Sequence, residues 1–272
     1  MTAPSCDYCE SPRRELVFDY TAPPPGETRF PSLAGKSYHR QVFRCGTCGH
    51  FTSKCGMDIS GLYDQEYINA TYKDDDGVRR TFERIIRLPS EKSDNAGRVE
   101  RVCAFADSYF PAGTERRLLD IGSGLAVFPW GMKQRGWDCT ALDPDPRAAE
   151  HARNVAGVKS ICADFLRYAP SERYPLVTLN KVLEHVPDPV DMLRRAGGLL
   201  AEPGVLYIEV PDGEAACSGG AGREEFFLEH FQIFSAASLA LLARHAGLKV
   251  LALSRLCEPS TKFTLFSFLA LT

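Results

Sequence analysis

Seven consecutive residues, Leu118-Leu119-Asp120-Ile121-Gly122-Ser123-Gly124, constrain this chain more than any other stretch. An apolar, strand-like run carries one acid, ends in a Gly-x-Gly turn and passes directly into the helix-compatible Leu125-Ala126-Val127-Phe128. Strand, glycine turn and helix N-terminus in that order let main chain approach a nucleotide-like ligand closely. Glycine adds no Cβ to keep the ligand away, and the helix end offers unpaired N–H groups. From Arg117 onward strand-like and helix-like patterns alternate, which predicts a mostly parallel sheet covered on both faces, an α/β fold.

The expected strands are 117–121, 138–143, 158–161, 176–180, 204–210, 248–253 and 263–271, with helices over 146–154, from about 189, and over 235–246. No helix separates the last two strands, so they are expected to pair as an antiparallel hairpin at one edge. Upstream, a helical patch spans 79–88. A second helix starts at Ser93-Asp94, with Ser93 as a cap and Val99, Val102, Cys103 and Phe105 on one face. The expected division is a small module over 1–75, a helical linker or lid over 76–110, and the α/β domain over 111–272.

The chain has 272 residues and a formal net charge of −3. That balance gives no general pull toward nucleic acid or anionic membrane. Neither a leading apolar run nor a segment of transmembrane length is visible, so a cytoplasmic protein is expected. The sequence leaves the oligomeric state open.

Details of the turn separate two ligand classes. A dinucleotide fingerprint requires a third glycine three residues after the second, to admit a pyrophosphate; that position is Val127. S-adenosylmethionine (SAM) has no phosphate and needs only the turn and nearby acids. Asp120 is placed to meet the methionine ammonium. Asp143, at the end of the second strand and followed by Pro144, is placed to accept from both ribose hydroxyls. Asp164, after the third strand, is placed near the adenine amino group, with Phe165 beside the ring. Three acids at the carboxyl ends of adjacent strands converge where open α/β sheets bind ligands.

Of the ten cysteines, four form two pairs, Cys6-x2-Cys9 and Cys45-x2-Cys48, separated by thirty-five residues. Each pair presents two sulfurs to one metal, and four thiolates close a tetrahedral zinc shell with no open position, hence a structural zinc. The segment has too few apolar residues for a core of its own, a lack that a metal would offset. Cys55 and His50 are alternative ligands at poorer spacing.

These residues resemble class I SAM-dependent methyltransferases over about Ser93 to Thr272. Leu119–Gly124 is similar to that family's first motif, with Ala126 where many members carry a further glycine. Ala141-Leu142-Asp143-Pro144 resembles its ribose motif and Ala163-Asp164-Phe165 its adenine motif. Asn180-Lys181-Val182-Leu183-Glu184-His185-Val186-Pro187 resembles the segment after its fourth strand. The resemblance implies a Rossmann-like methyltransferase fold of seven mostly parallel strands with an antiparallel edge. It also implies cofactor contacts from Asp120, Gly122, Ser123, Gly124, Asp143, Pro144, Asp164, Phe165, Asn180 and Lys181. With the zinc-ribbon-like module in front, the chain resembles sugar C-methyltransferases and their compact relatives in glycan and natural-product pathways. Tyr63-Asp64-Gln65-Glu66-Tyr67 matches their acid-and-tyrosine run. Leu228-Glu229-His230-Phe231 matches in part a His-Glu-His-Phe segment whose histidine serves as base, Leu228 replacing the first His.

Methyl transfer from a sulfonium is an in-line displacement, so the protein aligns the acceptor and removes its proton. His230 is the expected base, Glu229 a residue that orients it or shares its task, and His185 a second candidate. His39, His151 and His245 read as surface or helix-face residues. Tyr63, Tyr67 and Tyr72 are candidates for the acceptor pocket. The expected acceptor is a small molecule (a sugar, nucleotide-linked sugar or secondary metabolite) methylated on carbon or oxygen. Two alternatives stay open: an RNA methyltransferase that grips nucleic acid with the zinc module, and a SAM-binding scaffold without turnover. In the module Arg13, Arg14, Arg29, Lys36, Arg40, Arg44 and Lys54 are offset by Asp7, Glu10, Glu15, Asp19, Glu27 and Asp58, which weighs against RNA.

Overall fold

The computed structural model describes residues 5–57, 75–168, 170 and 172–272. The tyrosines at 63, 67 and 72, and with them the acid-and-tyrosine run, lie outside the described residues. Strands β1 (Arg14–Tyr20), β2 (Arg40–Cys45) and β3 (Phe51–Cys55) form an antiparallel meander. A second sheet holds β4 (Arg117–Ile121), β5 (Asp138–Asp143), β6 (Lys159–Cys162), β7 (Tyr174–Asn180) and β8 (Leu200–Pro211). The short β9 (Gln232–Ile233) returns to the first sheet, and β10 (Leu248–Cys257) and β11 (Phe263–Leu271) complete the second.

The seven strands run in the order β10-β11-β8-β7-β4-β5-β6. The β8-β7-β4-β5-β6 pairings are parallel, while β11 is antiparallel to both β8 and β10, so the expected edge hairpin is present. Strand order reverses between β4 and β7, the place where such sheets open a ligand crevice at their carboxyl ends.

Alternation of side chains divides the interior into two layers. Leu119, Ile121, Val177, Leu179, Leu206 and Ile208 pack on one face. Leu118, Leu176, Val205 and Tyr207 pack on the other. Because both faces are covered, β4 and β7 read as nearly continuous apolar runs, which is why their positions were legible.

Seven helices are described: α1 (Asp75–Ile86), α2 (Asp94–Tyr109), α3 (Val127–Gln134), α4 (Pro146–His151), α5 (Pro189–Gly197), α6 (Gly213–Cys217) and α7 (Ala236–His245). Ser93 caps α2, accepting from Ala96 N at 3.1 Å, and Val99, Val102 and Cys103 are buried as their spacing predicts. Phe105 stacks on Phe268 with ring centroids 3.7 Å apart. Helix α4 stops at His151, short of the expected Asn154, and continues as a π turn to Ala156 that Gly157 closes at φ 67°. Of the surface and helix-face positions expected for His151, the structure gives the second, turned inward: it ends α4, buried, with its ring 5.0 Å from that of Phe82.

The small sheet shares its core with the C-terminal half. Tyr20, Val42 and Phe51 pack with Ala216, Phe226 and Ile233. Strand β9 extends the meander through Phe51↔Ile233 and Thr52↔Gln232, and Ser53 N donates to Phe231 O at 3.2 Å. Ser235 Oγ donates to Cys48 O at 2.5 Å, and His245 Nε2 to Tyr8 O at 3.0 Å. The residues after β8 therefore supply what the cysteine-bearing segment lacks.

Candidate functional site

A cleft of about 1180 Å³ opens at the carboxyl ends of β4, β5, β6 and β7. Ligand pockets commonly run to about 1,000 Å³, so this one has room for two small molecules. Every residue predicted to contact the cofactor lines it, as do His185, Glu229 and His230.

The glycine turn forms part of its wall. Gly122 has φ 71°, and a Cβ there would lie 2.7 Å from Val182 Cγ2, so only glycine fits. Asp143 holds the turn open, one carboxylate oxygen accepting from Gly124 N at 2.8 Å and the other from Asp145 N at 3.0 Å. Each oxygen keeps a second lone pair for a ligand. Ala126, where the resembling family often has glycine, is buried in the left-handed region at φ 53°, a strain of about 1–2 kcal/mol.

Asp120 is buried, and its Oδ1 accepts from Thr178 Oγ1 at 2.6 Å and Asn180 Nδ2 at 2.9 Å. Burial raises its pKa to about 6, partly offset by these hydrogen bonds. Asp164 accepts from Leu166 N at 3.0 Å beside the buried Phe165. Ser123 Oγ donates to Asp120 O at 2.7 Å. Of the two residues after β7, Asn180 faces Asp120, whereas Lys181, left-handed at φ 58°, donates to Thr264 Oγ1 at 2.7 Å on β11. The Lys181 ammonium thus leads away from the glycine turn.

The same cleft is lined by the two candidate histidines, with ring centroids 4.9 Å apart. His185 Nδ1 donates to Glu229 O at 2.9 Å, and His230 Nδ1 to Glu225 O at 2.9 Å. A carbonyl oxygen only accepts, so both rings carry a proton on Nδ1, and the neutral His230 keeps its lone pair on Nε2. Burial lowers the His185 pKa to about 4. Burial, followed by the neighbouring His185, holds His230 well below the ordinary histidine value. Burial raises Glu184 and Glu229 to about 7. Phe231 N donates to Glu184 O at 3.0 Å, fastening the two loops together.

Sequence reasoning missed Glu184 and Arg98, both of which line the cleft. Arg98 and Arg101 share one face of α2 and bind the fully buried Glu209 at 2.6 and 2.7 Å. Burial alone would raise the Glu209 pKa; Arg98, Lys181 and the hydrogen bond from Tyr207 outweigh it and lower it to about 2. The i, i+3 arginine pair on an otherwise apolar face was the available signal.

Away from the cleft, the four paired cysteines meet. Cys6 and Cys48 sulfurs lie 3.5 Å apart, as do those of Cys9 and Cys45, and all four fall within 4.8 Å of one another. Tetrahedral zinc with Zn–S near 2.3 Å sets sulfurs about 3.8 Å apart. His50 stands outside the group, its Nδ1 3.3 Å from Ser238 Oγ, and Cys55 is directed at His39 O.

The family described as "Methyltransferase domain" matches residues 82–253. Ubiquinone biosynthesis O-methyltransferase of Xanthomonas axonopodis pv. citri (strain 306) is 30% identical over 172 residues, covering 57% of this chain and 70% of the relative. The enzyme of the same name from Histophilus somni (strain 2336) is 28% identical over 105 residues, covering 35% of this chain and 44% of the relative. The chain thus spans less than half the length of the second. Among solved structures, 1,6-didemethyltoxoflavin-N1-methyltransferase of Burkholderia thailandensis, with 1,6-didemethyltoxoflavin and S-adenosylhomocysteine bound, gives a TM-score of 0.56. That match has 20% identity and covers 86% of this chain and 96% of that one. Magnesium protoporphyrin IX methyltransferase (ChlM) from Synechocystis PCC 6803, with S-adenosylhomocysteine bound, gives 0.52 at 14% identity, covering 65% and 82%. Likeness at these identities speaks to the fold. The family match speaks to more, because its span holds the glycine turn, the strand-end acids and the segment after β7 alike: the chain belongs to the class I S-adenosylmethionine-dependent methyltransferases.

Proposed function

We propose that the chain methylates a hydroxyl group of a small molecule, with His230 as the base. One observation carries this reading: a neutral histidine, its Nδ1 proton fixed on Glu225 O, lines the same cleft as the glycine turn and the strand-end acids. Asp120 would take the methionine ammonium, Asp143 the ribose hydroxyls, and Asp164 with Phe165 the adenine. SAM supplies an activated methyl, whose bond to the acceptor oxygen forms as its bond to sulfur breaks, leaving S-adenosylhomocysteine. His230 Nε2 accepts the hydroxyl proton as the oxygen attacks. His185 packs against that ring, and Phe227, Phe231 and Phe263 give the acceptor apolar walls.

Oxygen is favoured over carbon on chemical grounds. A buried imidazole of low basicity is poorly matched to a carbon acid. It suffices for a phenol-like hydroxyl with pKa of about 10 when the proton leaves during attack. The O-methyltransferase names of the relatives support the same choice. Sugars and nucleotide-linked sugars remain within this acceptor class.

The four cysteines are proposed to hold one structural zinc ion. Their sulfur spacing suits a tetrahedral shell, which four thiolates would fill without leaving a position for substrate.

The test is a screen of SAM turnover over phenolic metabolites, hydroxylated natural products and nucleotide-linked sugars, repeated with His230→Ala. The variant should bind S-adenosylhomocysteine like the parent by calorimetry while transfer falls by about 10²–10⁴-fold. Unimpaired turnover would remove His230 from the reaction. A salt-dependent shift of RNA on a gel, with no small molecule methylated, would replace the proposal.

A further inference from the structure

We infer that Glu27, in the N-terminal module, is a positioning residue that fixes where His230 stands. The inference rests on the proposed role of His230 and adds the part that aims it.

Glu27 follows Pro23-Pro24-Pro25-Gly26, a loop whose turn at Gly26 (φ 88°) brings the carboxylate inward and sets the glycine against the Phe227 ring. Its carboxylate is almost wholly buried and accepts three hydrogen bonds. Leu228 N donates to Oε1 at 2.8 Å, Arg40 Nη2 to the same oxygen at 3.1 Å, and Tyr38 OH to Oε2 at 2.7 Å. Arg40 is also fully buried, lies over the Tyr20 ring at 4.2 Å and donates from Nε to Tyr38 OH at 3.0 Å. Both carboxylate oxygens are therefore held from the N-terminal side, and the one that Arg40 holds also grips main chain of the catalytic half.

The gripped residue is the second of a tight turn, Phe227 to His230, that ends at the base. His230 N donates to Phe227 O at 3.0 Å, so fixing Leu228 fixes the turn. The Leu228 side chain is buried with Phe30 and Met57, again module residues. Stability alone is a weak reason for this ion pair, because apolar residues of similar shape commonly serve as well or better. Apolar residues could not, however, accept a hydrogen bond from Leu228 N.

That distinction gives the experiment. Two double variants of the full chain remove both buried charges: Glu27→Gln with Arg40→Met retains an acceptor for Leu228 N, and Glu27→Leu with Arg40→Met does not. Both are examined with S-adenosylhomocysteine bound. The first should keep slow amide exchange at Leu228 and His230 and the Nδ1-protonated His230 tautomer seen by nitrogen NMR. The second should lose about tenfold or more in amide protection and shift toward the Nε2-protonated tautomer, with cofactor affinity unchanged. Equal protection and equal tautomers in the two variants would overturn the inference. Should neither variant fold, exchange in the unaltered protein decides: Leu228 exchanging as slowly as β2 supports the clamp, and fast exchange refutes it. Turnover on a screened acceptor is read separately. A second variant that unclamps the turn yet transfers at the parent rate would contradict the base role of His230 and leave the clamp standing.

Discussion

The two sheets bury their side chains by different means. The seven-stranded sheet is covered on both faces by helices and by residues of its own strands, with Leu118, Leu119, Leu176 and Val177 fully buried. Among the described residues the N-terminal segment has no apolar cluster to itself: Ala216, Phe226 and Ile233 complete one, Leu228 joins Phe30 and Met57 in another, and Cys6, Tyr8, Cys45 and Cys48 pack into the core of the large sheet. Its other support is polar: four sulfurs within 4.8 Å, where a zinc ion is proposed, and an almost wholly buried arginine–glutamate pair. The glycine turn and strand-end acids thus rest on a self-sufficient core, whereas the loop carrying His230 leans on an N-terminal segment that is not.

The severest way to break this contrast is to remove the metal. Cys45→Ser, or chelation, should abolish about one equivalent of zinc and collapse the small sheet. Metal binding in isolated zinc modules is worth about 10 kcal/mol, far more than one apolar cluster of this size supplies. Zinc analysis with thermal unfolding checks it. Residual S-adenosylhomocysteine binding alongside lost module structure would sharpen the comparison, and a metal-free protein of unchanged stability would break it.

Less drastic is Gly122→Ala. At φ 71°, with Val182 2.7 Å from the added carbon, the variant should lose about 1–3 kcal/mol by denaturant titration and bind the cofactor more weakly. A fully stable variant with parental affinity would show that the glycine turn tolerates what its geometry forbids.

The mildest effect concerns pH. The Asp120 carboxyl, raised to about 6 by burial, must be ionised to meet a cationic ammonium. The free protein binds the proton more tightly than an ordinary carboxylate would, and the cofactor expels it. Affinity for S-adenosylhomocysteine should therefore be level above about pH 6 and fall by about tenfold per unit below it. The same residue contributes to fold stability in the opposite sense. Its protonated form is favoured on folding, so that contribution is present below the ordinary carboxylate pKa and is lost as pH rises through about 6. Asp120→Asn should flatten the binding profile; a slope that persists assigns the titration elsewhere.

What was legible in the sequence follows the same divide. Strands β4, β5 and β7 announce themselves because burial on two faces demands unbroken apolar runs, and Asp120, Asp143 and Asp164 stand where those runs end. The cysteine spacing was equally readable, since two short knuckles need no knowledge of what lies between them. Strand β9 was not, because two residues carry no periodicity. Nor were Glu27 and Arg40, which in sequence look like a loop acid and a strand cation on a solvated face. Glu27 takes its meaning from a partner 201 positions away, Leu228, and Arg40 from Glu27; only packing brings them together. The burial of His151 was hidden for a related reason: its place on a helix gives no sign that Phe82 will cover it.

Gln232 and Ile233 extend the edge of the cysteine-bearing meander while belonging, by chain order, to the catalytic half. Anyone transplanting the methyltransferase portion into a chimera, or trimming the chain to its family-matched span, would cut through a ladder rather than a linker. The excised piece would carry an open strand edge and a naked Phe226 and Ile233, the sort of surface on which copies of a protein stick to one another.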